Sequence, residues 1–538
     1  MSPRKSLDEL RHKARKRPRD LPILSAYVEA LVEHIDARWG FETPAEDEAA
    51  PAVMREFADA ARRLSALDPS EHAIVLDALE RLADLLHERR EYEAAREVFD
   101  EWLRVARGFR EADPEDANAR IQLAEALSSY AEFAEGREQA ELAAACRDEQ
   151  IGLLRTLVAD GPARGVHAMS LNRSLEDRAT LHYRSSTNLA AARADAEEAL
   201  EIVRCRRFAR GDAGRLVRQL VLLSRIAQKQ QDWAGAIRAS EERAAATRRV
   251  LDADPEDADA NLDLGDALMT IGDMKRNLGD WPGAIAAWEQ SVAHHRALFG
   301  KGLDDARLAL RIAIALPEIR DARATTGEKA EALVAAREAV VFARRVAADD
   351  PTDLDMVRDL VVDLDELGDH LFDAGDGAGA SGAYEEAESL VRNLVATEPE
   401  NARWRDDLAI VLGRRARLAS DSGDAAAAAG HFGEAVTEYR VLAVRQPDVA
   451  KWRRKLGDRL AHLGGALLDA GDREGALAAY EEAVGLLVGT RGAEDGASDD
   501  LIRETLSEAA DAASSAGRPD LAAAFRQRAS EVGGGGSA

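Results

Sequence analysis

The sequence contains few cysteines, few aromatic residues and no long apolar run. Its two cysteines, Cys146 and Cys205, form no CxxC pair, which argues against a disulfide framework and against a cysteine-rich metal site. Phe, Trp and Tyr together make up 5% of the 538 residues. No apolar run is long enough to span a membrane, and the N-terminus lacks the apolar stretch of a secretory signal. We therefore expect a cytoplasmic protein.

Motifs that indicate catalysis are also missing. The chain has no phosphate-binding loop, dinucleotide fingerprint, HExxH or GxSxG motif. Cys146 lies in AACRDE, which is faintly similar to a caspase nucleophile segment, but it has no established His partner, so we predict a buried structural cysteine. His294 and His295 are neighbours on a predicted helix and point about 100° apart, so they cannot chelate one ion together. We predict no catalytic residues, no metal site and no cofactor, and a protein that is not an enzyme.

Charge is abundant and mostly negative. The 100 acidic and 72 basic residues give a formal net charge of −28, which disfavours general binding to nucleic acids and anionic membranes. The segment from Arg4 to Arg19 is basic instead, and such clusters can bind either partner. Because no recognition-helix pair follows, we favour an arm that docks on the acidic remainder of the chain or stays solvated. We expect no nucleic-acid or membrane partner.

A repeat runs through the second half of the chain. A Gly followed by an acid recurs every 48 residues, and Leu or Ile recurs with the same step from Leu264 to Leu456. The Gly-acid pairs are Gly279-Asp280, Gly327-Glu328, Gly375-Asp376, Gly423-Asp424 and Gly471-Asp472. Several sequence features that recur with the same 48-residue period indicate a repeat array rather than separate globular domains.

Each repeat is predicted to be a hairpin of two amphipathic helices. Between residues 352 and 398, apolar residues recur at spacings of three and four. The Gly suits the left-handed conformation that ends a first helix, and the acid beside it can cap the second helix. Pro351, Pro399 and Pro447 follow the second helices and cannot continue them.

Small residues and aromatic residues also keep the period. Gly272, Gly368, Ala416 and Gly464 precede the turn Gly by seven positions, whereas Arg320 occupies that position in one repeat. The Ala five positions after each turn Gly completes the close contact between the helices. Aromatic residues follow four positions later, where we expect them to wedge against the next hairpin; they are Trp288, Tyr384, Phe432 and Tyr480.

This order resembles the tetratricopeptide repeat, as in Ile271-Gly272, Gly279-Asp280, Ala284 and Trp288. The usual unit of that family has about 34 residues, so the chain is more similar to the long-helix arrays of bacterial signalling and defence proteins. The resemblance implies an all-α fold, an α-solenoid built as a right-handed superhelix of antiparallel helix hairpins. HEAT-type repeats are the alternative, but they share the period without these Gly, Ala and aromatic positions.

The repeat and its weaker copies predict the organisation of the chain. The predicted segments are a basic N-terminal helical arm (1–41), an acidic linker (42–51), degenerate hairpins (52–213), regular repeats (214–490), a C-terminal capping hairpin (491–532) and a flexible Gly/Ser tail (533–538). Within the arm, Ser6 and Glu9 form a capping-box pattern, and a second helix is predicted from Ile23 to Trp39.

The resemblance also implies a binding face. In the tetratricopeptide family the first helix of each hairpin lines a concave groove through positions spaced i, i+3, i+7 and i+10. The matching positions imply partner-binding residues Asp266, Met269, Asp273, Arg276, Asp321, Asp365, Asp369, Phe372 and Arg417. The acids form a ladder across three hairpins, either a groove for a basic or mixed-charge peptide anchored on Met269 and Phe372, or solvated surface charge.

These observations favour a non-enzymatic scaffold or regulatory subunit that binds a partner protein or peptide. The acid ladder favours a partner with basic character. The alternative is an effector with a cryptic hydrolytic or nucleic-acid-directed activity in the degenerate N-terminal half, because a fold alone does not fix a function.

Overall fold

The computed structural model describes residues 3–39, 47–160, 164–186, 188–205, 210–301 and 305–533. These residues form 23 α-helices and one short 3₁₀ helix, and they contain no β-strand. The predicted all-α fold is therefore confirmed. None of the described helices is both long and apolar enough to cross a lipid bilayer.

The chain divides into two compact units, residues 1–246 and 247–538. The helices that begin in the first unit are α1 (Pro3–Lys16), α2 (Leu21–Trp39), α3 (Ala50–Leu67), α4 (His72–Glu88), α5 (Tyr92–Ala112), α6 (Ala117–Glu135), α7 (Ala140–Asp160), α8 (Arg164–Ser185), α9 (Leu189–Arg204), α10 (Arg210–Lys229) and α11 (Trp233–Ala253). The predicted segment boundaries at 213/214 and 490/491 stay predictions.

The second unit continues the hairpins. Its helices are α12 (Ala258–Asn277), α13 (Trp281–Leu298), α14 (Asp305–Thr326), α15 (Lys329–Asp349), α16 (Leu354–Asp373), α17 (Gly377–Thr397), α18 (Ala402–Asp421), α19 (Ala425–Arg445), α20 (Ala450–Asp469), α21 (Arg473–Gly489), α22 (Asp499–Ser515) and α23 (Pro519–Gly533). Within each unit, packing mainly joins consecutive helices, as in an α-solenoid.

The basic N-terminal segment is part of the first unit. Leu7 and Ala14 of α1 are buried in the same apolar cluster as residues of α2 and α3. Arg11 forms an ion pair with Glu56 of α3, with 2.6 Å between Nε and Oε1. Tyr27 of α2 donates a hydrogen bond to the same carboxylate. The segment therefore docks within the chain, which is the interpretation favoured from the sequence.

Two details at the N-terminus differ from the prediction. Helix α1 begins at Pro3, which places residue 6 inside the helix rather than at the predicted N-cap position. Helix α3 begins at Ala50 with Pro51 in its first turn, where a missing N–H costs nothing, so the end of the predicted linker 42–51 is helical. Residues 42–46 of that linker lie outside the described residues.

The turns of the second unit follow the prediction closely. The turn glycines Gly279, Gly327, Gly375, Gly423 and Gly471 all have φ between 77° and 86°, the left-handed conformation that glycine adopts without strain. The acid that follows accepts a hydrogen bond from the N–H three residues later in four of the five turns, at Asp280, Asp376, Asp424 and Asp472. Glu328 makes no such capping bond.

Turns of the first unit use other residues at this position. Arg90, Glu138 and Gln231 have φ of 61°, 58° and 58°. Gly136 ends α6 with φ of −64°, and Glu138, two residues later, adopts the left-handed conformation. These turns therefore cannot be recognised by a glycine in the sequence, because a non-glycine residue adopts the strained conformation with positive φ.

Close packing within the hairpins depends on the predicted small residues. Trp288 lies against Gly272 so closely that a Cβ there would overlap the ring, and Tyr384 and Gly368 are related in the same way. The aromatic ring thus packs on the first helix of its own hairpin, and Trp288 also belongs to the buried apolar cluster that contains Ile312 and Leu316 of the next hairpin, as expected. The Ala five positions after each turn Gly is fully buried at Ala284, Ala332, Ala380, Ala428 and Ala476.

Arg320 shows how one hairpin accommodates a large residue at the small position. The residue that corresponds to the aromatic in that hairpin is Ala336, which is fully buried. Arg320 is also buried, and its guanidinium bonds to Asp321 at 2.7 Å and to Asp363 of α16 at 3.0 Å. The hairpin thus combines a large first-helix residue with a small second-helix residue.

Candidate partner-binding face

The predicted binding residues lie on the first helices α12, α14, α16 and α18, and we call their side chains at these positions the first-helix face. Contacts connect this face from one hairpin to the next. Arg311 of α14 bonds to both carboxylate oxygens of Asp266 of α12, at 2.6 and 3.1 Å. Arg276 of α12 pairs with Glu318 of α14. The predicted acid Asp266 is therefore neutralised by the neighbouring hairpin.

Asp365 and Asp369 form a second paired cluster. Arg414 of α18 lies 2.7 Å from Asp369 and 3.7 Å from Asp365. Tyr384 donates a hydrogen bond of 2.6 Å to Asp369. Asp365 is only 7% exposed, and its Oδ1 receives no hydrogen bond from the described residues. Burial raises the pKa of Asp365 to about 7, although Arg414 and its positive charge oppose this shift.

Asp273 is not a free carboxylate either. Burial raises its pKa to about 6, while the nearby Arg276 opposes the shift. Trp288 donates its indole N–H to Asp273 Oδ1 at 3.2 Å. Asp273 therefore also connects the two helices of its own hairpin.

The remaining predicted residues are more accessible. Asp321 is exposed and accepts a hydrogen bond from Arg320. Met269 is half-buried against the apolar cluster that contains Trp288. Arg417 of α18 is exposed and lies over the half-buried ring of Phe372 of α16, 5.0 Å from its centroid. The structure thus gives this face apolar and cationic groups beside carboxylates that the chain itself pairs.

Sequence reasoning missed the cations that neutralise the ladder. Each lies 45 residues after its acid, which places it one helical turn earlier in the next repeat. The pairs are Asp266 with Arg311 and Asp369 with Arg414. An offset three residues shorter than the 48-residue step was the signal that could have found them.

A second set of missed pairs joins consecutive second helices. In each pair an arginine of one helix contacts a glutamate of the next, and both residues recur every 48 residues. The pairs are Arg296–Glu338, Arg344–Glu386, Arg392–Glu434 and Arg440–Glu482. Through these ion pairs, consecutive second helices bind one another within the array.

A cleft of about 220 Å³ lies on the first-helix face, between α14 and α16. Ile314 and Pro317 of α14 and Val362 of α16 line it, together with residues at the end of α15. Ile314 and Pro317 stand 48 residues after Asp266 and Met269, so they occupy equivalent positions of the predicted binding face. From the sequence, only Asp321 was assigned to that face in this hairpin.

Cys146, His294 and His295 are all held within the fold. Burial raises the pKa of the Cys146 thiol to about 11, which keeps it protonated and unreactive near neutral pH. His294 bonds to the Asn261 carbonyl at 3.1 Å, and His295 is fully buried. Within the described ranges no three His, Cys, Asp or Glu residues are grouped to hold a metal ion.

No protein-family model matches the chain, and no curated protein matches it. Similar solved structures include BtubC from P. vanneervenii (17% identity, 48% of this chain and 92% of that chain, TM-score 0.35). A tetratricopeptide repeat protein from Parabacteroides merdae is 14% identical over 60% of this chain and 94% of its own, with a TM-score of 0.32. The apo form of RapI is 10% identical over 76% of this chain and 97% of its own, with a TM-score of 0.40.

Proposed function

We propose that this chain is a non-enzymatic scaffold or regulatory subunit of the tetratricopeptide type, which binds a partner protein or peptide on the first-helix face of residues 261–420. The observation that carries the proposal is that side chains of consecutive first helices touch across hairpins. Arg311 reaches Asp266, Arg320 reaches Asp363, and Arg417 covers Phe372. One face therefore extends over four hairpins, which is long enough for an extended or helical segment.

The charges on this face favour a partner segment of mixed charge with basic residues. Arginines of the chain already pair with Asp266 and Asp369, so a partner gains little from them. Asp321 also pairs with Arg320, but its side chain stays 63% exposed, and the chain as a whole carries a formal net charge of −28. Long-range attraction should therefore speed association, whereas apolar contacts set the lifetime of the complex. We place this activity in the cytoplasm, without nucleic-acid or membrane partners.

Binding is tested with peptides selected from a random phage-displayed library on the full chain. Phe372→Ala removes a half-buried ring from the first-helix face, and we expect about a tenfold faster dissociation. Phe342→Ala is the matched control, because Phe342 is a half-buried ring on second helix α15 that contacts Phe299. Surface plasmon resonance measures both, and circular dichroism checks the folding of each variant.

Equal dissociation rates for the two Phe variants would contradict the assignment of the face. The association rate of the parent should also fall as salt is added, because screening weakens the long-range attraction. Library binders whose association rate is independent of salt would contradict the electrostatic part of the proposal.

A further inference from the structure

The cleft between α14 and α16 combines an apolar lining with a backbone irregularity. Pro317 lies inside α14, whereas the other described helices carry proline only in their first turns. Proline has no N–H, so the carbonyl oxygen of Ala313, four residues earlier, cannot accept the usual helical hydrogen bond. Ala313 and Pro317 both line the cleft. The cleft thus lies where one backbone hydrogen bond of α14, from residue 317 to the Ala313 carbonyl, is missing.

We propose that this cleft holds one large apolar side chain of the partner, and that a basic residue next to it in the partner pairs with Asp359. The proposal rests on the proposed function and assigns an anchor site within the first-helix face. An N–H of the partner backbone donates to the Ala313 carbonyl, which fixes the position of the inserted side chain.

The size of the cleft favours a side chain over a free small molecule. Its volume of about 220 Å³ is below the range of about 300–1,000 Å³ that is typical of small-molecule sites. Leu310, Ile314, Val346, Met356 and Val362 supply apolar surface. Ile314 is 50% exposed, so a large apolar residue at the mouth is left for a partner to cover.

Charges around the cleft favour a basic neighbour. Arg320 pairs with Asp363, and Arg358 pairs with Asp407 at 2.7 Å, so both arginines of the lining are neutralised within the chain. Asp359 keeps 64% of its side chain exposed, and its nearest cation, Arg358, is 4.0 Å away. The rim therefore presents a carboxylate that is only weakly paired, which complements a Lys or Arg.

The probes are the library peptides selected on the full chain, labelled with fluorescein and titrated by anisotropy. We expect the selected peptides to share a large apolar residue next to Lys or Arg. Ile314→Arg places a charge at the mouth and should weaken binding at least tenfold. Val341→Arg is the matched control, because Val341 is 59% exposed on α15 and does not line the cleft, and it should change affinity by less than twofold.

Two further variants separate the parts of the site. Pro317→Ala supplies the missing N–H, which occupies the Ala313 carbonyl within the helix, so affinity should fall about threefold or more while helicity is retained. Asp359→Asn should weaken only peptides that carry the basic residue, and the difference should vanish at high salt.

The outcomes distinguish this proposal from the proposed function. Peptides that are sensitive to Phe372→Ala but bind Ile314→Arg and Pro317→Ala like the parent would overturn the cleft assignment and leave the first-helix face intact. Selected peptides that are insensitive to all three variants, or a selection that enriches no peptide, would overturn both.

Discussion

At the scale of single residues, substituting alanine at two glycines of one hairpin is expected to change stability in opposite directions. Gly368 of α16 faces the ring of Tyr384, whereas nothing lies within 4 Å of a Cβ placed on Gly382 of α17. Tyr384 is also held by its bond to Asp369, so its ring cannot move aside freely. The same substitution is therefore expected to strain one position and to improve helix propensity at the other.

We predict that Gly368→Ala lowers the free energy of unfolding by about 1–3 kcal/mol through overpacking. Gly382→Ala should raise it by up to about 1 kcal/mol, because alanine loses less backbone entropy in a helix. Urea unfolding followed by circular dichroism compares the two variants with the parent. Equal stabilities for the two variants would show that the Gly–aromatic contact is not close.

His295 predicts a pH dependence of stability. The side chain is fully buried, and neither ring nitrogen has a hydrogen-bond partner among the described residues. Burial lowers its pKa from 6.5 to about 4, nearby His294 and Arg311 add to the shift, and Asp266 opposes it. Because the folded protein favours the neutral ring, this stability is fully present above pH 6.5 and is lost as pH falls towards 4.

We expect His295 to account for about 1–2 kcal/mol of lost stability between pH 7 and pH 5. His295→Gln keeps a polar side chain of similar length without a titrating group. The difference in unfolding free energy between parent and variant should therefore shift in favour of the variant as pH falls. A difference that stays constant from pH 7 to pH 5 would rule out a neutral buried His295.

At the scale of helices, the period predicts where elements begin and end but not which charges meet. The five turn glycines and four of the five acidic caps lie where the sequence placed them, because these features depend on neighbouring residues alone. The acid ladder was placed on the correct helices, yet its pairing with Arg311 and Arg414 depends on the next hairpin. Glu138 was missed because no side-chain pattern marks a non-glycine residue in the left-handed conformation.

The second-helix pairs give a prediction at this scale. Arg344 and Glu386 are about half exposed and lie 2.9 Å apart, so water screens their attraction. A double-mutant cycle with Arg344→Ala and Glu386→Ala should give a coupling energy of about 0.2–1 kcal/mol that declines as salt is added. A coupling above this range that is insensitive to salt would mean that the pair is more buried than the structure indicates.

At the scale of the whole molecule, function is expected to follow from how the two kinds of helix divide their roles. On the second helices, the periodic arginines and glutamates form ion pairs with one another, as Arg392 and Glu434 do. First helices combine paired acids with accessible groups such as Ile314, Phe372 and Arg417. The partner should therefore contact first helices of the second unit and leave the second helices unchanged.

Hydrogen–deuterium exchange of the full chain, with and without a library-selected peptide, tests this claim most directly. We predict slower exchange in α12, α14, α16 and α18 when the peptide is bound, with little change in α13, α15, α17 and α19. Slower exchange confined to the second helices, or to residues 1–246, would contradict the account.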